Sequence, residues 1–201
     1  ATVTATGTNT VTVSNIATLT GGIWPSTAIA AGDLIMIIQM QGASMDVDVT
    51  LAVVGHQITQ ARAVCHVGDR EILTVNAAVG ERPFEYAHSF VKMPDVPPPS
   101  ALKQRAHRSD VSNTIHEKME ERFVIGRELE ELDEIPNDGR TLMWARIPDV
   151  IDGVDTATLA VLGDFVPMGV GQALGIRGGG NSLDNTLRVV RLVPTKWVLL
   201  D

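Results

Sequence analysis

A single cysteine, Cys65, stands among 201 residues, so no disulfide can form within the chain and no cysteine-rich zinc site can be assembled. The five histidines are scattered, without the HxH or HExxH spacing that places two imidazoles on one ion, so neither a metal nor another cofactor is expected. Lysine and arginine total 16 against 24 acids, a formal net charge of -8. That balance argues against a nucleic-acid binder, which needs clustered cations for phosphate. No apolar run is long enough to span a bilayer, since Leu34-Ile-Met-Ile-Ile38 is short and Gln39 and Gln41 follow it. The opening residues also lack the basic-then-apolar pattern of a signal peptide. These absences fit a reducing, cytoplasmic setting with no membrane span. At 44% hydrophobic, the chain can bury a core, as one large domain or two small ones.

The chain has two textures. Residues 1–44 hold no Lys, Arg, His or Glu, and Asp33 is their only charged side chain. Thr alternates there with small or β-branched residues, as in Thr10-Val-Thr-Val-Ser14, which suits strands. This Thr-rich β segment resembles bacterial surface or secreted β-rich proteins.

From Met45 onward the composition is mixed and charged. Asp46-Val-Asp-Val-Thr50 and Gln57–Val67 alternate polar and apolar residues, as half-buried strands do. Gly68-Asp69 is a hairpin turn signal, Glu71–Ala78 the partner strand, and Tyr86–Val91 a further one. Residues 45–92 thus read as one sheet. Met93-Pro-Asp-Val-Pro-Pro-Pro-Ser100 cannot continue it, because proline donates no ladder hydrogen bond, and residues 93–116 read as a linker. Glu117–Ile125 is ambiguous: its charges suit a helix, whereas Phe123-Val-Ile125 suits a strand. Arg140–Ile147, Asn185–Leu192 and Lys196–Leu200 read as strands of a second unit over 117–201.

Within that unit, residues 155–174 read as one long buried helix, capped by Asp155 or Thr156, bent at Pro167 and ended near Gly175. Asp164 lies in the middle of this apolar stretch. Burying a carboxylate without partners costs several kcal/mol, so its presence calls for a reason. Soon after come Gly178-Gly-Gly180 and Ser182, a glycine-rich approach to the strand at 185. A helix acid and a strand hydroxyl are the parts of a water-activating site, with Asp164 as general base and Ser182 as its partner. The amides of Gly178, Gly179 and Gly180 are candidates for binding substrate and an oxyanion. The plainer alternatives are an acid that faces solvent, a capping hydroxyl and an ordinary turn.

Several of these stretches, taken in order, resemble the acyl-CoA thioesterase II family, whose members are double hot-dog proteins. They are Gln57-Ile-Thr-Gln-Ala-Arg62, Met93–Pro99, Gly163-Asp164-Phe165, Asn181-Ser-Leu-Asp-Asn-Thr186 and Trp197-Val-Leu-Leu-Asp201. The resemblance covers about 45–201. It implies an α+β, hot-dog type fold, with antiparallel sheets around a long buried helix, as an incomplete double hot-dog. It also implies an acyl-CoA substrate hydrolysed to free fatty acid and CoA, and a place in lipid metabolism; the sheet edges that an incomplete fold leaves exposed point to a homo-oligomer. In the family an Asp on the second helix, a Ser or Thr on the next strand and a Gln near the end orient a hydrolytic water. Asp164 and Ser182 match the first two; the Gln position falls beyond Asp201. The first unit also lacks the family's central helix.

Two other readings stay open. A truncated hot-dog can be a non-catalytic structural or binding module. Alternatively, Ser182 could act as an esterase nucleophile, although Gly180-Asn-Ser-Leu-Asp184 is not GxSxG and a strand follows where a nucleophile elbow requires a helix.

Overall fold

The computed structural model describes residues 2–5, 10–14, 46–54, 56–80, 88–106, 115–148, 153–164, 166–177 and 185–201. Among them, residues up to Lys92 form one compact unit and those from Met93 a second.

The first unit is a five-stranded antiparallel sheet in the order β1-β2-β3-β4-β5. Its strands are β1 (Thr2–Ala5), β2 (Thr10–Ser14), β3 (Asp46–Val54), β4 (Ile58–Val67) and β5 (Arg70–Gly80). Alternation sets the register. Val47 stands opposite Cys65 and Cys65 opposite Leu73, while Val49, Ala63 and Val75 form the next row. Apolar residues therefore share one face, where Val47, Ala61, Ala63 and Cys65 are buried. The hairpin between β4 and β5 turns on Gly68, at φ +58, a backbone region that glycine enters without steric cost. The Thr-rich segment extends this sheet, with Val11 in register with Val49 and Val13 with Val47. No helix lies in this unit among the described residues.

The second unit pairs a three-stranded antiparallel sheet, β6-β7-β8, with short helices. Pro99–Ala101 forms a 3-10 turn after the extended proline segment. The ambiguous stretch resolves into both expected states: a single helical turn, α1 (Ile115–Lys118), then β6 (Glu120–Ile125). β7 spans Leu142–Arg146 and β8 Val198–Leu200. Met143 and Ala145 of β7 and Ile147 just after it form a core with Met119 and Leu162, and Phe123, Val161, Met168, Val198 and Leu200 pack around it.

Three expectations are corrected here. The long helix is two: α2 (Thr156–Leu162) and α3 (Val166–Leu174). Pro167 is the second residue of α3. A proline there has no N–H to bond four residues back, so an unbroken helix would leave a carbonyl unmatched; at a helix start that N–H has no partner anyway. The expected cap holds, since the Asp155 carboxylate accepts from Thr158 N at 2.7 Å. So does the expected end, where Gly175 follows α3 at φ +69. Second, residues 185–192 form no strand, and only Val198–Leu200 of the last expected strand pairs with β7. Third, His88–Val91 form no strand; Tyr86 and Ala87 lie outside the described residues.

Candidate functional site

Asp164 lies in the gap between α2 and α3, immediately after the C-cap Gly163. Gly163 N donates to Leu159 O at 2.8 Å, and Asp164 N donates to Val161 O at 3.3 Å, closing the last turn of α2. The side chain is exposed, which corrects the expectation of a carboxylate sealed in a buried helix. The physical reason is the break itself: once the helix stops at Leu162, the following positions leave the apolar stripe. Ser182 and Gly178, Gly179 and Gly180 lie outside the described residues. Of the candidate site, only Asp164 has a described position. The chain that follows Ser182 does return to this corner. A Cβ built on Gly163 would stand 3.9 Å from Leu187 Cδ1, so Leu187 packs beside the residue that precedes Asp164.

Among the described residues of this unit the buried carboxylate is Glu121, 2% exposed, on β6. Its register partner is Ala145, a core residue, so it points to the same side as the apolar cluster. Arg105 compensates it. Arg105 Nη1 donates to Glu121 Oε2 at 2.5 Å, and the Arg105 backbone N donates to Glu121 O at 2.8 Å. The same guanidinium lies 5.1 Å from the Phe123 ring centre and touches Met168 Sδ of α3 at 3.5 Å. The signal for Glu121 was present in the sequence, because Met119, Glu121 and Phe123 alternate as residues of one strand face do.

On the opposite face of this sheet, Trp197 is flanked by two cations. The Arg146 and Arg122 guanidinium carbons stand 4.6 and 5.4 Å from its ring centre. Glu120 binds Arg146 through two bonds of 2.9 and 2.8 Å.

The lone cysteine and the described histidines have plain roles. Cys65 is fully buried, and desolvation, with a smaller contribution from Asp48, pushes its thiol up to about 11. It fills the core. His66 Nδ1 lies 3.7 Å from Asp48 Oδ2, while His56 and His116 are exposed. Among the described residues no three His, Cys, Asp or Glu side chains are grouped to hold a metal ion. No described helix is long and apolar enough to cross a membrane.

Each unit has a hollow on its surface among the described residues. One, of about 410 Å³, is lined by Ala52, Gln60, Arg62, Asn76 and neighbouring alanines of the first sheet. The other, of about 180 Å³, lies against α2 in the second unit, between Leu159 and the Arg191–Val198 segment.

No protein-family model matches the sequence, and no curated protein matches it at a significant level. Solved structures do. A candidate thioesterase of Novosphingobium aromaticivorans DSM 12444 superposes with a TM-score of 0.62 at 29% identity, over 79% of this chain. The matched part spans 59% of that protein's length. A conserved protein of unknown function with a hot-dog fold, from Alicyclobacillus acidocaldarius, gives a TM-score of 0.60 at 17% identity, covering 88% of this chain and 71% of the other. The antiparallel sheets, the helices packed on the second of them and these neighbours agree on the architecture: the chain is a partial hot-dog fold of the superfamily that includes the thioesterases.

Proposed function

We propose that this protein hydrolyses acyl thioesters, converting acyl-CoA to free fatty acid and CoA through a water that Asp164 activates and Ser182 orients. The observation that carries the reading is the hot-dog fold, matched at 29% identity by a candidate thioesterase. The position of Asp164 at the end of α2, with the chain after Ser182 returning at Leu187, supports it. Asp164 takes a proton from water as its oxygen attacks the thioester carbonyl. The amides of Gly178, Gly179 and Gly180 steady the oxyanion, and collapse of the tetrahedral intermediate expels the CoA sulfur. Asp164 then returns the proton to that sulfur. No metal and no covalent intermediate take part. Assembly as a homo-oligomer, residence in the cytoplasm and a role in lipid metabolism belong to the same reading.

The exposure of Asp164 favours a second reading, a non-catalytic hot-dog module that binds or scaffolds. Turnover of short, medium and long acyl-CoAs by the purified protein separates the two. With hydrolysis present, Asp164→Ala is expected to reduce it at least about 100-fold without changing the circular dichroism spectrum. Undiminished turnover in that variant removes Asp164 from the mechanism. Covalent labelling of Ser182 by a serine-directed phosphonate would instead indicate an esterase nucleophile.

A further inference from the structure

The hollow against α2 has the make-up of a small ligand site. Val154, Leu159, Leu192, Val193 and Val198 give it apolar walls, Trp197 adds an aromatic one, and Arg191 and Thr195 are its polar members. The Thr195 hydroxyl is already committed, donating to Trp197 O at 3.1 Å and accepting from Trp197 N at 3.3 Å. Thr195 O in turn accepts from Val154 N at 3.0 Å. The nearest acid along the chain, Asp155, has its carboxylate engaged by Thr158 N and by Thr158 Oγ1, each at 2.7 Å. Among the described residues no carboxylate lines the hollow. The Arg191 guanidinium makes no hydrogen bond or ion pair among the described residues. One exposed cation therefore lines an otherwise apolar surface, in a chain of net charge -8.

We infer that this hollow binds a small carboxylate, its apolar body against Leu159, Val193 and Trp197 and its anionic head on Arg191. Charge complementarity selects the head, because guanidinium and carboxylate match in a two-bond fork. Size selects the body. At about 180 Å³ the hollow is smaller than the roughly 300–1,000 Å³ sites of drug-sized ligands, and near the roughly 150 Å³ that accommodates benzene. A short alkyl chain or a single ring fits. The site comes largely pre-formed, since the Arg122 and Arg146 guanidinium groups that flank Trp197 fix the ring. This assignment stands apart from thioester hydrolysis and survives its failure.

Calorimetric titration of the full chain with hexanoate tests it, with hexan-1-ol and hexylammonium as matched probes. Hexanoate is expected to bind saturably, and hexan-1-ol and hexylammonium to bind at least about tenfold more weakly. Arg191→Gln should weaken hexanoate by a similar factor, whereas Arg188→Gln, which alters a cation outside the lining, should not. Leu159→Trp, which fills the hollow, should abolish binding; should that variant fail to fold, the three probes on the wild-type chain still decide. Equal affinity for hexanoate and hexylammonium overturns the assignment. So does an unchanged affinity in Arg191→Gln, equal weakening by Arg188→Gln, or no saturable binding of hexanoate.

Discussion

Gln172 and Arg127 hold each other through both backbone and side chain. The Gln172 side-chain amide accepts from Arg127 N at 2.6 Å and donates to Arg127 O at 2.8 Å, while the Arg127 guanidinium donates to the backbone carbonyl of Gln172. Gln172 is 3% exposed, so its amide completes the pairing that a neighbouring strand would otherwise give the chain after β6. This fastens α3 to the sheet beneath it. Truncating the amide leaves a part-buried N–H and C=O of Arg127 without partners, at about 1–3 kcal/mol. Gln172→Ala should therefore lower the urea midpoint of unfolding by that equivalent, and an unchanged midpoint would show that water replaces the clamp.

The end of α3 depends on a glycine for two separate reasons. Gly175 has φ +69, and a Cβ there would meet Ile135 O at 2.7 Å and Ile135 N at 2.9 Å. Glu134 N donates to Gly175 O at 2.8 Å, so the two segments cannot simply separate. Gly175→Ala should cost roughly 1–3 kcal/mol from backbone strain alone. Gly169, inside α3, has nothing within 4 Å of a built Cβ. Gly169→Ala should stabilise by up to about 1 kcal/mol, because it removes backbone freedom from the unfolded chain. Thermal melts of both variants check the contrast, and a shift of the same sign in each would refute it.

What the sequence showed, and what it hid, divides along local and distant causes. The alternation through Ala61, Ala63 and Cys65, the turn at Gly68 and the Asp155 cap are local patterns, and each stands where its residues placed it. The break before Pro167 was only half legible, since a proline that bends a helix and one that begins a helix look alike in one dimension. The alternation of Glu121 with Met119 and Phe123 was legible, but the arginine that makes its burial tolerable lies 16 residues away. Asn185–Leu192 alternates like a strand, yet no neighbouring strand pairs with it among the described residues. Asp164 illustrates the same limit from the other side: apolar neighbours in sequence did not bury it, because the helix ended first.

Cys65 offers a pH-dependent measurement. Desolvation raises its thiol from the ordinary 9.0 to about 11, so the folded chain keeps its proton over a range in which the unfolded chain releases it. Unfolding then releases a proton, and stability falls as pH rises from about 9 through about 11, with no contribution below that window. Cys65→Ala should flatten the alkaline part of the stability profile, apart from a pH-independent loss from the smaller side chain. Iodoacetamide should label the native chain slowly at pH 8 and rapidly once urea unfolds it. Rapid labelling of the native chain at pH 8 would contradict the buried thiol.

The Arg105–Glu121 pair can be tested for what it costs as well as for what it holds. Glu121 is 2% exposed and meets Arg105 Nη1 at 2.5 Å. Removing one partner strands the other charge in a poorly solvated place, at about 3–5 kcal/mol. Arg105→Met and Glu121→Leu should each destabilise by about that amount. The double variant should recover most of the loss, because apolar side chains on this face join the cluster of Met143, Ala145 and Leu162. A double-mutant cycle on urea unfolding reads the coupling directly. Strict additivity of the two losses would mean that the carboxylate finds solvation elsewhere and that Arg105 is not its compensating charge.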